Sequence, residues 1–264
     1  MPYADNAGIH IHYEVEGTGP ALVLHHGFTQ CLEDWFERGY VAALGSRYRL
    51  ILVDARGHGR SDKPHDEVSY TLDRRVTDVT SVLDAVGVEK AHFWGYSMGG
   101  WIGFGMARHA PDRVDSLVIG GAHPFANNQA AMRQWVRDGI TAGGDDFVAA
   151  FEKMTGPISA SYAARLRAAD LRAWLALAQD RVSIEDMLGA MAMPCCIYAG
   201  EADPIFGRVK AAADRIPNAH FFSLPGLLHR QAFIESSTVL TPVIKFLSLL
   251  SRRQTDRESH KPHS

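Results

Sequence analysis

Ser97 stands in Gly95-Tyr96-Ser97-Met98-Gly99, between a strand-like run, Ala91-His92-Phe93-Trp94, and a helix-like run from Gly100 to Ala107. A strand that turns sharply into a helix at G-x-S-x-G lifts the serine hydroxyl clear of the sheet. The flanking glycines sit where a Cβ would crowd the turn. The helix N-terminus behind it favours negative charge. A serine hydroxyl is a poor nucleophile until a base takes its proton. Two later residues could supply what it lacks. Asp203 lies in Gly200-Glu201-Ala202-Asp203-Pro204 and His229 closes Gly226-Leu227-Leu228-His229; each follows a strand-like run. His229 would act as base and then as acid, with Asp203 fixing its tautomer. A tetrahedral intermediate also needs donors aimed at its oxygen, and the backbone N–H groups of Met98 and Phe28 stand in the right loops.

Competitors exist for two of these roles. Glu201 is two residues from Asp203, and His26, His58 and His123 are alternatives to His229. Only His229 falls in the chain order Ser…Asp…His. The loop Gly120-Gly121-Ala122-His123, the other place for an acid, has no carboxylate. His26 and His58 are expected to hold loops by hydrogen bonds, and Asp54 and Arg56 to brace the glycine turn Asp54–Ser61. His25 interrupts an apolar strand without an evident task.

The elements that must position these residues alternate. Ile9, Ile11 and Tyr13 alternate with His10, His12 and Glu14, a half-buried strand with its histidines toward solvent. Ala21–Leu24 is a short apolar strand of the doubly buried kind. A helix follows with Leu32, Trp35, Phe36, Tyr40 and Leu44 on one face. Then come a strand at Arg49–Val53, a helix from Thr71 to Gly87, the strand before Ser97, its helix, and a strand at Val114–Ile119. Such alternation predicts a mostly parallel sheet with helices on both faces and a site at the strands' carboxyl ends. From 123 to 193 only short helical runs appear, which predicts a helical cap inserted into a core of 1–122 and 194–250. Trp135, Phe147, Phe151, Leu171 and Trp174 are its candidate pocket-lining residues. Strands resume at Cys195–Ala199 and His220–Leu224, and a last helix carries Val239, Val243, Phe246, Leu247 and Leu250. The polar tail 251–264 is expected to be disordered.

Composition narrows the function classes. The chain has 264 residues, 46% of them hydrophobic and 22% charged, with a net charge of -3. No global basic field suggests nucleic acid. No apolar run approaches the roughly 18 residues that span a bilayer. No secretory signal is visible at Met1-Pro2-Tyr3-Ala4. Cys31, Cys195 and Cys196 are odd in number and form no disulfide framework, which fits a cytoplasmic setting. The histidines form no metal cluster, and no metal or cofactor is expected.

Five segments, in order, carry a resemblance: His26-Gly27-Phe28, Asp54-Ala55-Arg56-Gly57-His58-Gly59-Arg60-Ser61, Gly95-Tyr96-Ser97-Met98-Gly99-Gly100, Gly200-Glu201-Ala202-Asp203-Pro204 and Gly226-Leu227-Leu228-His229. From about Ile9 to Leu250 the chain resembles the α/β-hydrolases of the esterase, haloperoxidase-like and lactonase-like group. The resemblance implies an eight-stranded, mostly parallel sheet with a small helical cap, and a nucleophile, acid and base at Ser97, Asp203 and His229. Epoxide hydrolases and haloalkane dehalogenases of the fold place aspartate where Ser97 stands. Carbon–carbon hydrolases of aromatic degradation usually carry a Gly-Pro-Gly-like stretch where this chain has Phe28-Thr29-Gln30-Cys31; cap arginines such as Arg165 or Arg172 in the pocket would mark that chemistry. The expectation is a serine hydrolase of small or medium apolar esters or lactones. The alternatives are a carbon–carbon or enol-lactone hydrolase and a binding-only member of the fold. The oligomeric state is open.

Overall fold

The computed structural model describes residues 2–217 and 219–259, the last nine (251–259) by their backbone only. Its strands are β1 (Tyr3–Asn6), β2 (Ile9–Glu16), β3 (Ala21–His25), β4 (Arg49–Val53), β5 (Ala91–Tyr96), β6 (Val114–Gly120), β7 (Cys195–Gly200) and β8 (His220–Leu224). They form one sheet in the order β1-β2-β4-β3-β5-β6-β7-β8. β2 is antiparallel to both its neighbours, and every other adjacent pair is parallel. Strand order reverses beside β3, so the carboxyl ends of β3 and β5 open onto a shared crevice.

The central strands are apolar throughout because helices cover both faces. Successive side chains point to opposite sides. Val23, Ile51, Phe93, Leu117 and Ile197 pack on one face, where α3 (Leu72–Ala85), α4 (Met98–His109) and α9 (Phe206–Ala213) contribute Val79, Phe104 and Val209. Leu22, Leu24, Leu50, Trp94 and Tyr198 pack on the other. There α1 (Glu33–Glu37), α2 (Tyr40–Leu44), α10 (Gln231–Ile234) and α11 (Ser236–Ser259) contribute Trp35, Tyr40, Phe233 and Val243. Cys195 and Cys196 are free, buried, and split between the two faces. On the second face Trp35 meets Tyr40 and Phe233 edge-on at 4.8 and 5.0 Å, and the Tyr40 hydroxyl donates to the Phe233 carbonyl at 2.8 Å. Each such ring pair adds about 0.5–1.5 kcal/mol beyond its buried area. The cluster anchors the short α10, two residues past His229.

Between β6 and β7 lie α5 (Ala130–Ala142), α6 (Gly144–Thr155), α7 (Ala160–Arg167), α8 (Leu171–Leu177) and a 3-10 turn at Glu185–Ala190. The helices share a small core of Val136, Phe147, Phe151, Tyr162, Leu166 and Trp174. Polar contacts seat them on the sheet: Trp174 Nε1–H donates to the Gly57 carbonyl at 3.1 Å, Thr29 and Tyr162 share a hydroxyl bond at 2.8 Å, and Arg165 pairs with Glu37 and Asp34 at 2.6 and 3.1 Å.

Three local expectations change. The helix expected across Leu32–Leu44 is two short helices, broken where Gly39 takes φ +77°. Trp35 and Tyr40 stay buried across the break. His12 does not face solvent. It is fully buried, because β1 pairs beside β2 and Tyr3 covers the ring at 5.3 Å. β1 itself gave no sequence signal, since Tyr-Ala-Asp-Asn has little apolar alternation. The helix α11 runs on to Ser259, into the stretch expected to be disordered; extending a formed helix costs little per residue. Residues 260–264 of that tail lie outside the described residues. At the end of α3, Gly87 takes φ +67° and the Val88 N–H returns to the Leu83 carbonyl at 2.9 Å, the glycine stop the sequence suggested.

Candidate active site

Ser97 sits at the junction of β5 and α4 with φ +52° and ψ -107°. A non-glycine residue there carries about 1–3 kcal/mol of backbone strain, held by its surroundings. The Ser97 N–H donates to the Gly120 carbonyl at 2.8 Å, and the Ser97 carbonyl accepts from Trp101 N–H at 3.0 Å. The flanking glycines are required by backbone contact. A Cβ on Gly95 would lie 2.2 Å from the Gly99 carbonyl oxygen, and one on Gly99 would lie 2.1 Å from that of His25.

β7 and β8 end beside this turn and bring in the two partners. His229 Nε2 is 2.9 Å from Ser97 Oγ, and its Nδ1 is 2.6 Å from Asp203 Oδ2. The other carboxylate oxygen of Asp203 accepts from the Ile205 N–H at 3.0 Å, so the acid cannot rotate freely. Glu201 is exposed and takes the Ser223 hydroxyl at 2.7 Å instead. Tyr96, which the sequence reading did not single out, donates its hydroxyl to the His229 carbonyl and fixes the loop that carries the imidazole.

The other histidines have different work. His26 donates through Nδ1 to the Gly27 carbonyl at 2.8 Å and accepts the Ala55 N–H on Nε2 at 3.0 Å, tying the loop after β3 to the loop after β4. His58 stacks on Trp174 at 5.4 Å. Burial holds both well toward the neutral form. His25 is buried against Phe93 and His26; burial first, then the His26 charge, push its pKa down to about 3. His123 is lowered to about 4 by burial and by Arg208 and Arg181. His12 Nδ1–H donates to Asp54 at 2.8 Å, and the same carboxylate accepts the N–H groups of Leu32 and Arg60, both at 2.9 Å. Burial raises the Asp54 carboxyl, yet these bonds and the nearby His26 outweigh it and leave it lowered. Arg56 lies beside it and clamps Asp78 with two nitrogens, at 2.6 and 3.0 Å.

Met98 N–H opens α4, and Phe28 N–H lies in the loop after β3; neither has a hydrogen-bond acceptor among the described residues. The Gln30 side chain accepts the Gly27 N–H at 2.8 Å and shapes that loop, in which Thr29 takes φ +68°.

Two cavities meet over Ser97. One, of about 330 Å³, is walled by Met132, Trp135, Phe151, Met154, Tyr162 and Phe233, with Arg230 at its edge. The other, of about 320 Å³, is the more polar of the two and is lined by His123, Asn127, Gln129, Gln179, Arg181 and Asp203. Phe28, Ser97, Met132 and His229 border both. Of the five pocket residues expected from sequence, Trp135 and Phe151 line the apolar cavity. Phe147, Leu171 and Trp174 do not. Phe147 lies behind Trp135 at 4.6 Å in the cap's own core, and Trp174 backs Phe28 at 4.9 Å. Leu171 lines a shallow outer hollow with His65. Helical spacing marks a buried face without saying whether that face meets another helix or a cavity. Met132, Tyr162 and Phe233 carried no separate signal for the same reason. Arg165 is held by Glu37 and Asp34, and Arg172 borders the outer hollow, so neither reaches the serine.

Residues 20–190 match the family described as alpha/beta hydrolase fold. The chain is 35% identical over 141 residues to Epoxide hydrolase 3 of Siraitia grosvenorii, a match covering 53% of this chain and 43% of that protein, so it spans less than half the length of this curated relative. The solved esterase of Rhodococcus sp. ECU1013 is 27% identical, with a TM-score of 0.78, over 94% of this chain and 97% of the other. The enol-lactonase of Burkholderia xenovorans LB400 is 22% identical and has a TM-score of 0.83 over 94% and 100%. The chain belongs to the α/β-hydrolase fold family.

Proposed function

We propose that this protein is a serine hydrolase of carboxylic esters or lactones with a small or medium apolar arm. The observation that carries the reading is the chain Ser97 Oγ to His229 Nε2 at 2.9 Å and His229 Nδ1 to Asp203 at 2.6 Å, opening onto an apolar cavity of about 330 Å³. His229 accepts the Ser97 proton as Oγ attacks the ester carbonyl. The Met98 and Phe28 N–H groups receive the resulting oxyanion. Collapse breaks the bond to the alcohol oxygen, which takes the proton from His229, and leaves an acyl group on Ser97. Water, deprotonated by His229, then releases the acid and restores the serine. Asp203 holds the imidazole proton on Nδ1 throughout, so that Nε2 faces the serine.

A hydroxyl at position 97 also bears on the choice among hydrolases. Epoxide and carbon–halogen hydrolysis in this fold proceeds through an aspartate at that place. The esterase of Rhodococcus, similar over nearly the whole chain, agrees with an ester substrate. An apolar cavity discriminates chain length by only about 1–3 kcal/mol per methylene, so several neighbouring acyl lengths are expected to react. The test is hydrolysis of 4-nitrophenyl esters of graded acyl length by wild type and Ser97→Ala. Turnover in wild type that falls to background in the variant supports the reading. Equal rates in both, or none in either, refute it.

A further inference from the structure

The polar cavity beside Ser97 contains a cation that the ester chemistry leaves without a task. Arg181 lies on the segment that returns from the cap to the sheet, held by backbone bonds in both directions with Asn127, at 3.0 and 2.9 Å. Its guanidinium sits over the Trp101 ring at 4.6 Å, and Arg181 borders both the cavity that reaches Ser97 and a hollow lined by Trp101 and Arg75. No carboxylate pairs with it among the described residues. Asp180, next in the chain, is occupied by Arg133 at 2.7 Å and by the Gln129 N–H at 2.8 Å. Both oxygens of Asp203 are taken by His229 and the Ile205 N–H.

Asp203 lines the same cavity but is engaged by His229, and the charge that acts on Arg181 most closely has the wrong sign to compensate it. Arg75 also lies over Trp101, at 5.5 Å, and its Nε and Nη2 are buried without an acceptor. Burial and Arg75 together push the Arg181 pKa down to about 9. A partly buried cation beside another cation is costly unless an anion joins them. A carboxylate entering this cavity would supply that anion and take a charge-assisted, two-pronged bond. The other arginine near the serine is placed differently. Arg230 lies against the Phe151 and Tyr162 rings, at 5.8 and 5.3 Å, on the apolar side.

We propose that the polar cavity is a subsite for a carboxylate, with Arg181 as its counter-charge, so that the preferred ester has one apolar arm and one acidic arm. This rests on the ester-hydrolase reading, because Arg181 belongs to the cap and a cap arginine holding a carboxylate would equally serve a carbon–carbon hydrolase, which would turn over none of the test esters. The same chemistry could come from an acid arm of the substrate or from a free small carboxylic acid.

The test uses three esters: neutral 4-nitrophenyl butyrate, mono-4-nitrophenyl glutarate with the acid on the acyl side, and 4-carboxyphenyl butyrate, compared with phenyl butyrate, with it on the leaving group. Wild type, Arg181→Gln, Arg181→Lys and Arg230→Gln are assayed on each, with thermal melts to verify folding. The expected result is a preference for one acidic ester over its neutral counterpart of about tenfold or more in kcat/KM, mainly through KM. That ratio should collapse in Arg181→Gln, survive in part in Arg181→Lys, and persist in Arg230→Gln. Glutarate itself should raise the wild-type melting temperature and compete with the acidic ester. If Arg181→Gln does not fold, Arg181→Lys and glutarate protection of wild type decide. No acid preference in wild type, collapse in Arg230→Gln alone, or glutarate stabilisation without competition overturns the proposal. Turnover of the neutral ester without acid preference sinks this inference only, whereas no turnover of any ester sinks the hydrolase reading beneath it.

Discussion

Replacing Asp203 by asparagine keeps the shape of the side chain and changes one oxygen into a donor. The Ile205 N–H, 3.0 Å from the carboxylate, still needs an acceptor. Asparagine meets that need by leaving its oxygen there, which turns its NH₂ toward His229 Nδ1, where the carboxylate oxygen stood at 2.6 Å. Two donors cannot face each other at that distance. The imidazole therefore moves its proton to Nε2, which faces Ser97 Oγ at 2.9 Å and then donates instead of accepting. Restoring the productive tautomer by flipping the amide would set NH₂ against the Ile205 N–H and cost about 1–3 kcal/mol. The imidazolium formed in the transition state also loses the negative charge beside it. Together these amount to about 4–5 kcal/mol, a fall in kcat of about 10³–10⁴. KM for a neutral apolar ester should change little, because Asp203 does not border the apolar cavity. Steady-state hydrolysis of a 4-nitrophenyl ester measures both constants, and an unchanged melt shows that the fold is intact. Activity of Asp203→Asn within about tenfold of wild type would refute the tautomer reasoning, as would an equal loss in Glu201→Gln.

Two further outcomes concern stability. Ser97→Gly removes the strain at φ +52° at the cost of glycine's extra unfolded entropy, a net gain of about 0.5–2 kcal/mol or about 1–6 °C in Tm, whereas Ser97→Ala keeps its Cβ and the strain. Equal melting temperatures for the two inactive variants would rule out strain at the turn. Below neutral pH the buried histidines act together: His25 is lowered to about 3, His123 to about 4, and His26 and His58 in the same direction, all first by burial. Their folded pKa values lie below the unfolded one, so the unfolded chain binds more protons. Stability is complete above pH 6.5 and is lost as pH falls toward 4, by up to about 1.4 kcal/mol per pH unit for each histidine. Urea midpoints should be level from pH 8 to 7 and fall from pH 6.5 to 5; a level curve down to pH 5 contradicts the assignment of neutral buried histidines.

Much of this site was legible in the chain because its constraints are local. Gly95 and Gly99 flank Ser97 because the turn presses backbone on backbone within a few residues, and the runs on either side declare a buried strand and a buried helix. Each partner of Ser97 follows its own apolar strand, so topology places Asp203 and His229 at the same edge. The faces of the sheet were legible for the same reason, since a side-chain period of two carries over directly to burial. Other features depend on what lies across space, which no local pattern records. His12 reads as a solvent-facing strand residue until β1 and Asp54 enclose it. Glu201 and Asp203 are equivalent acids until Ser223 takes one and His229 the other. In the cap, Phe147 and Phe151 lie one helical turn apart on α6 and look alike in sequence, yet one fills the cap's interior and the other walls the cavity.

From the sequence alone came the chemistry on offer: a serine at a sharp turn, an acid and a base in order, and a parallel sheet to bring them together. The tertiary structure decided which carboxylate the imidazole meets, which apolar side chains face the serine, and that Arg181, at the adjoining cavity, has no ion-pair partner among the described residues. Backbone geometry and periodicity act over a few residues and can be read in the chain, whereas pairing, desolvation and cavity shape arise only when distant segments displace water from one another.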